Sequence, residues 1–301
     1  MTRDDQLWGI DLGGTKIEGV VVSAAHPDHV LARTRIPTES GSGYAHIVGR
    51  VRLVVEQLEA ASGGRRPAVI GVGTPGAIEP AAGTLKNSNT ACLNGKPLAR
   101  DLAQALGTET RLANDANCFA LAEATLGAAR GRDVVIGLIL GTGVGGGIVV
   151  HGRVLDGLHG IAGEWGHNPM CGESTACYCG RAGCVETVIS GPALERYYEA
   201  TAGRRLLLAD IARRAADDPA AESTLGRLTA KFGEAIAAAI NILDPDAIVI
   251  GGGVGNIDRL YQPETRTAIR RHLFNPELRT ELLRPTLGDS AGVFGAALLT
   301  V

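Results

Sequence analysis

The chain has 301 residues, 45% apolar and 20% charged, which is the usage of an ordinary globular protein and not of a disordered one. Lys+Arg 29 against Asp+Glu 32 leaves a net charge of −3 with no block of like charge, so nucleic acid is not an expected partner. Glycine is in excess, 42 residues where a usage near 7% gives about 21, and this signals tight turns or close approach of backbone to a ligand.

The polar residues 1–6, and the break of the next apolar stretch at Asp11, do not make a signal peptide. The longest glycine-free apolar run, 235–240, falls far below the ~20 residues of a bilayer span. No membrane partner is expected, and the protein is expected to be soluble and cytoplasmic. Its six cysteines then read as thiols or metal ligands before disulfides.

In chain order, β-branched runs at 7–12, 17–23 and 30–36 predict strands. Ile47, Val51, Val54, Val55 and Leu58 at helical spacing predict an amphipathic helix. A strand at 68–72 ends in the turn Gly73-Thr74-Pro75-Gly76, and a short strand at 110–112 leads into a helix containing Phe119, Leu121 and Leu126. Leu228, Phe232, Ile236, Ile240 and Leu243 mark a long apolar helix that Asp244-Pro245-Asp246 stops. A strand at 247–250, the triplet Gly251-Gly252-Gly253, a helix from about 257 to 274 and a last helix over about 291–299 complete the chain. Strands alternating with helices predict an α/β fold. The expected organisation is a small N-terminal domain, 1–113, and a large one, 114–290, with the terminal segment 291–301 able to pack back on the first.

Residues 8–22 (WGIDLGGTKIEGVVV) align without gaps on 136–150 (IGLILGTGVGGGIVV), with Gly9/Gly137, Leu12/Leu140, Gly13/Gly141, Gly19/Gly147, Val21/Val149 and Val22/Val150 identical. Both copies read strand, glycine turn, strand. Such a turn presents backbone N–H groups without Cβ obstruction and suits an anion. Duplicated domains facing one ligand are therefore expected.

Asp11 ends the first strand just before this turn, where a carboxylate can hold Mg²⁺. Lys16 reads either as a phosphate contact or as a solvated charge. Asn114-Asp115-Ala116-Asn117 opens a helix, so its polar groups are caps, or Asp115 is a general base. His167 with Cys177, Cys179 and Cys184 makes a Cys₃His set suited to tetrahedral Zn²⁺, with free or redox thiols as the alternative. Cys171 is a competing ligand, and Cys92 and Cys118 are expected to be packed thiols. Glu164 and Glu186 flank the set; they read as acceptors for a hydroxyl-rich ligand or as surface charges. Gly251, Gly252 and Gly253 allow a flat ring or ribose against backbone, or form only a tight strand-to-helix turn.

Taken in order, DLGGTK at 11–16, GVGTPG at 71–76, NDAN at 114–117, GTGVGGG at 141–147, GEWGH at 163–167, CYCGRAGCVE at 177–186 and IVIGGG at 248–253 resemble the ROK family (repressor, open reading frame, kinase) of bacterial sugar kinases. The resemblance implies the actin/hexokinase-like (ribonuclease H-like) duplicated two-domain fold, with a cleft between domains that takes the sugar. It also implies site roles: Asp115 as the catalytic base acting on the sugar's 6-hydroxyl, and Asn114, Glu164, His167, Glu186 and Gly76 as sugar ligands. His167, Cys177, Cys179 and Cys184 are the implied ligands of a structural Zn²⁺. Asp11, Gly13, Gly14, Thr15, Lys16, Thr142, Gly143 and Gly251–Gly253 are implied on the side of ATP and Mg²⁺.

The stretches 85–95, 164–169 and 241–261 are similar to the fructokinase/mannokinase branch, so fructose, or mannose, is the first expected substrate. Glucose, N-acetylglucosamine and N-acetylmannosamine are the alternatives, and a non-catalytic sugar sensor is a distant third. Only nine residues separate His167 from Cys177, where that branch carries a longer acidic insert. A homodimer is implied by the family. A zinc hydrolase is not expected, because four protein ligands leave zinc no open position for water.

Overall fold

Alternation decides the first sheet. Trp8, Ile10 and Leu12 of β1 (Gln6–Leu12) are buried together with Ile17 and Val21 of β2 (Lys16–Ser23), while the intervening positions turn to the opposite face. A computed structural model describes residues 5–301 and divides into two compact units. One unit holds the chain through Arg130, Gly152–Ala162 and Thr286–Val301; the other holds Gly131–His151 and Gly163–Pro285.

In the first unit β3 (Val30–Pro37) is antiparallel to β2 and β2 to β1, whereas β4 (Val69–Thr74) and β7 (Glu109–Asn114) run parallel, in the order β3-β2-β1-β4-β7. Helix α1 (Tyr44–Ser62) lays its buried stripe, Ile47, Val51, Val54, Val55 and Leu58, on one face, beside α2 (Leu98–Leu106). A small hairpin, β5 (Ala77–Glu79) and β6 (Thr84–Lys86), lies between β4 and α2 in sequence. The other face carries α3 (Asp115–Thr125) and α10 (Ala291–Leu298). Here glycines let backbones touch: a methyl on Gly71 would stand 1.7 Å from the Ala296 carbonyl oxygen, and one on Gly295 1.8 Å from that of Cys118. Residues 152–162 carry the short strand β10 (Arg153–Val154), which is not a strand of this sheet.

In the second unit, β8 (Val134–Leu140) and β9 (Val144–Val150) form a hairpin that β11 (Ala247–Gly251) and β12 (Glu281–Leu283) extend in parallel, in the order β9-β8-β11-β12. The hairpin-plus-parallel-strands plan of the first sheet recurs, as the sequence repeat implies. The core is built on α7 (Pro219–Leu243), whose Leu228, Phe232 and Ile236 pack with Trp165, Val188 and Ile250. Helices α4 (Val185–Ile189), α5 (Gly191–Ala202) and α6 (Leu208–Arg214) join it.

Some expectations shift. α7 begins at Pro219, because Asp218 caps it by accepting N–H bonds from Ala220 and Ala221 at 2.9 and 3.3 Å. The helix expected over 257–274 is instead a short 3₁₀ turn (Asp258–Tyr261) and α9 (Pro263–Arg270), because Pro263 has no N–H to continue a helix and starts a new one. The triplet 251–253 leads into the single turn α8 (Gly252–Gly255). The first unit runs past residue 113 to Arg130, since α3 packs on α10, and that same packing places the last helix with the first unit. Among the described residues no helix is long and apolar enough to cross a membrane.

Candidate functional site

The first unit gathers its polar candidates at the carboxyl ends of its parallel strands. The register sets Asp11 beside Gly73 and Thr74 beside Asn114. The glycine turn follows Asp11. Gly13 N–H closes it on the Lys16 carbonyl at 2.9 Å, and Thr38 holds it from outside, donating its hydroxyl to the Gly13 carbonyl at 2.6 Å and its N–H to that of Thr15 at 2.9 Å. Gly14 and Thr15 are left exposed at the tip. Lys16 turns back to Glu18, 3.9 Å away, a buried carboxylate that also pairs with Arg33 and Arg35.

Asn114 caps α3. Its side-chain oxygen accepts the Ala116 N–H at 2.8 Å, which it shares with Asp115 at the same distance, and its amide donates to the Gly76 carbonyl at 3.1 Å. Gly76 has φ +86, and a methyl there would meet the Lys86 carbonyl oxygen at 2.5 Å, so a glycine is required. Burial, then the nearby Asp115 and Glu18 carboxylates, lift Asp11 from 3.8 to about 6, with Lys16 and Arg35 opposing. The unit thus crowds acidic groups beside a turn of exposed N–H groups. A divalent cation would relieve that crowding, and Asp11 is placed to hold one.

In the second unit Gly141-Thr142-Gly143 forms the matching turn, with Gly141 N–H to the Gly143 carbonyl at 2.9 Å and Thr142 exposed. Glu186, in the first turn of α4, reaches this turn. Its carboxylate accepts the Val144 N–H at 2.9 Å, and a methyl on Gly143 would stand 2.7 Å from it. The Glu164–His167 segment lies on β9 through paired glycines: a methyl on Gly146 would meet the Gly163 oxygen at 2.5 Å, and one on Gly166 the Val144 oxygen at 2.2 Å. Gly252 has φ +81 against the end of β8, and Gly253 faces open space.

His167, Cys177, Cys179 and Cys184 come together with their donor atoms all within 4.8 Å of one another. Cys179 and Cys184 sulfurs are 3.6 Å apart, as are Cys177 Sγ and His167 Nδ1. A tetrahedral zinc with bonds of about 2.3 Å to sulfur has ligand–ligand edges of about 3.8 Å, so the set fits the ion. Burial raises the Cys184 thiol while the Arg181 N–H lowers that of Cys179, and an ion would displace such thiol protons. Cys171 is exposed and outside the cluster; Cys118 is buried and Cys92 half-buried. Nδ1 faces the sulfurs, and Nε2 lies 3.0 Å from the Tyr178 hydroxyl and 3.9 Å from Glu164; with an ion on Nδ1, Nε2 would carry the proton and donate it outward. Tyr178 was not singled out in the sequence; its place between Cys177 and Cys179 is the one signal it offers.

The family model described as "ROK family" matches residues 7–301. N-acetyl-D-glucosamine kinase of Pectobacterium atrosepticum is 37% identical over 305 residues, spanning 97% of this chain and 98% of that protein. N-acetylgalactosamine kinase of a Shewanella species (strain ANA-3) is 35% identical over 304 residues, spanning 97% and 96%. Among solved structures, the ROK hexokinase from Thermus thermophilus superposes with a TM-score of 0.87 at 35% identity, spanning 98% of this chain and 97% of that one.

Proposed function

The chain belongs to the ROK family and has the actin/hexokinase-like α/β fold of its sugar kinases, and from that premise we propose that it transfers the γ-phosphoryl group of ATP to the 6-hydroxyl of an N-acetylhexosamine. The names of the relatives at 35 and 37% identity support this sugar class ahead of fructose. The observation that carries the chemistry is the clasp of Asn114 and Asp115 at the start of α3, tied to Gly76 and set near Asp11.

In this reading the Asp115 carboxylate takes the proton of the sugar's 6-hydroxyl as that oxygen attacks the γ-phosphorus. The bond from phosphorus to the ADP oxygen breaks, and ADP leaves. Asn114, Gly76, Glu164, His167 and Glu186 are the proposed sugar contacts. The exposed turns at Gly13–Thr15 and Thr142–Gly143 supply N–H and hydroxyl donors to phosphate oxygens, and Gly251–Gly253 the nucleotide side. Phosphoryl transfer asks mainly for positioning and charge stabilisation, which such donors provide. Mg²⁺, held by Asp11, would neutralise phosphate charge. Zn²⁺, held by His167, Cys177, Cys179 and Cys184, would stiffen the loop that carries Glu164 and precedes Glu186. The family resemblance also supports a homodimer, which light scattering tests.

ADP release measured with Mg²⁺ and ATP across N-acetylglucosamine, N-acetylgalactosamine, N-acetylmannosamine, glucose, mannose and fructose tests the reading. A lead in kcat/KM for an N-acetylhexosamine is expected. A fructose lead would establish the second reading, which the likeness of 85–95, 164–169 and 241–261 to the fructokinase/mannokinase branch favours. Turnover with none of these sugars would overturn the kinase.

A further inference from the structure

The loop after β6 carries a hydroxyl outside the proposed sugar and nucleotide contacts. Thr90 is 9% exposed, and its backbone N–H donates to the Ser88 hydroxyl at 3.1 Å. Among the described residues its own hydroxyl makes no hydrogen bond. That hydroxyl looks onto the first glycine turn: a methyl on Gly14 would stand 3.5 Å from Thr90 Oγ1.

The position is braced. The Asn94 amide bonds Ser88 at both ends, accepting its N–H and donating to its carbonyl, each at 2.8 Å. Leu93 N–H returns to the Thr90 carbonyl at 2.9 Å, and Gly95 N–H to that of Leu85 at 2.7 Å. Gly76 abuts the same loop, since a methyl on it would meet Ser88 N at 2.8 Å. Gly76 in turn takes the Asn114 amide. One continuous set of contacts therefore joins the residue before Asp115 to the loop that holds Thr90 against Gly14. The residue is mostly buried while its hydroxyl oxygen is not among the buried unpartnered atoms, so an accessible donor on a fixed loop beside exposed N–H groups is an arrangement that an anionic oxygen completes.

We propose that Thr90 is a substrate-contacting residue whose hydroxyl donates a hydrogen bond to an oxygen of the phosphoryl group under transfer. The proposal rests on the sugar-kinase reading. Thr90→Val keeps the shape and removes the donor, Thr90→Ser restores it, and Thr90→Ala is the second donor-free variant should valine not fold. Loss of one such donor is expected to lower kcat about 10²-fold, with the sugar KM within about threefold of wild type and serine recovering most of the rate. A donor-free variant with wild-type kcat would overturn the proposal while leaving the kinase standing. So would a rise in sugar KM at constant kcat, or an equal loss in the serine variant. A wild-type protein inactive on every sugar would remove the kinase reading and the proposal with it.

Discussion

At the scale of single residues, two aspartates of the first unit make separate predictions. Asp115→Asn keeps the Ala116 N–H contact within reach of an amide oxygen but removes the proton acceptor. Sugar binding by calorimetry is expected to stay within about threefold while kcat falls about 10²–10⁴-fold; near wild-type kcat would remove Asp115 from the base role. Asp11 speaks through pH. Its carboxyl is lifted from 3.8 to about 6 by burial first and by the neighbouring carboxylates next. The metal-free folded state therefore bears no penalty below about pH 4, where the group is protonated folded or unfolded. The penalty grows as pH rises through about 6 and reaches at most about 3 kcal/mol. Asp11→Asn should stabilise the metal-free protein against urea at pH 8, with the gain vanishing at pH 4, and should lose Mg²⁺-dependent turnover. An equal gain at both pH values would refute this origin.

At the scale of elements, the cysteine loop is the clearest test. Glu173 ties it to α7 through Arg227 at 2.8 Å and Lys231 at 3.2 Å, and Gly183 fits where a methyl would meet the Glu173 oxygen at 2.3 Å. Protein purified without added metal is expected to hold about one zinc per chain, and less than about half an equivalent would argue against the site. Cys184→Ser should lose the zinc, lower Tm and raise the sugar KM more than it lowers kcat, since a four-ligand ion positions residues and takes no part in the chemistry. This loop was legible in the sequence because thiols three to a turn-rich octet have few other uses. The glycine turns were legible because a repeat of identical residues constrains both copies at once. Thr90 was not, because a hydroxyl in a loop has no spacing to betray it and only the fold shows what lies opposite, and Tyr178 offered only its place between two thiols. The run at 257–274 misled because its apolar positions suit a helix while Pro263 interrupts the backbone that would carry them.

At the scale of the whole molecule, the unit boundary escaped the sequence because it depends on a helix far along the chain. α10 closes the face of β1 and β4 that α1 leaves open, with Val293 and Ala297 packing on Val20 and Val22. Its backbone lies on Gly9 and Gly71, where methyls would stand 2.4 Å from the Val293 oxygen and 1.7 Å from that of Ala296. Gly71→Val is therefore expected to destabilise the first unit by about 3 kcal/mol or more in urea melts, whereas Gly49→Ala in α1, where a methyl meets nothing within 4 Å, should be neutral to stabilising.

The same helix imposes an order on biosynthesis. The segment from Thr286 onward, which supplies α10, leaves the ribosome only after all of the second unit has been made. A nascent chain stalled before it carries β1, β4 and the first glycine turn with one apolar face uncovered. Chaperones that recognise exposed strand surface have their longest opportunity in that interval. The turn that follows Asp11 is thus translated well before the helix that covers the strands leading to it.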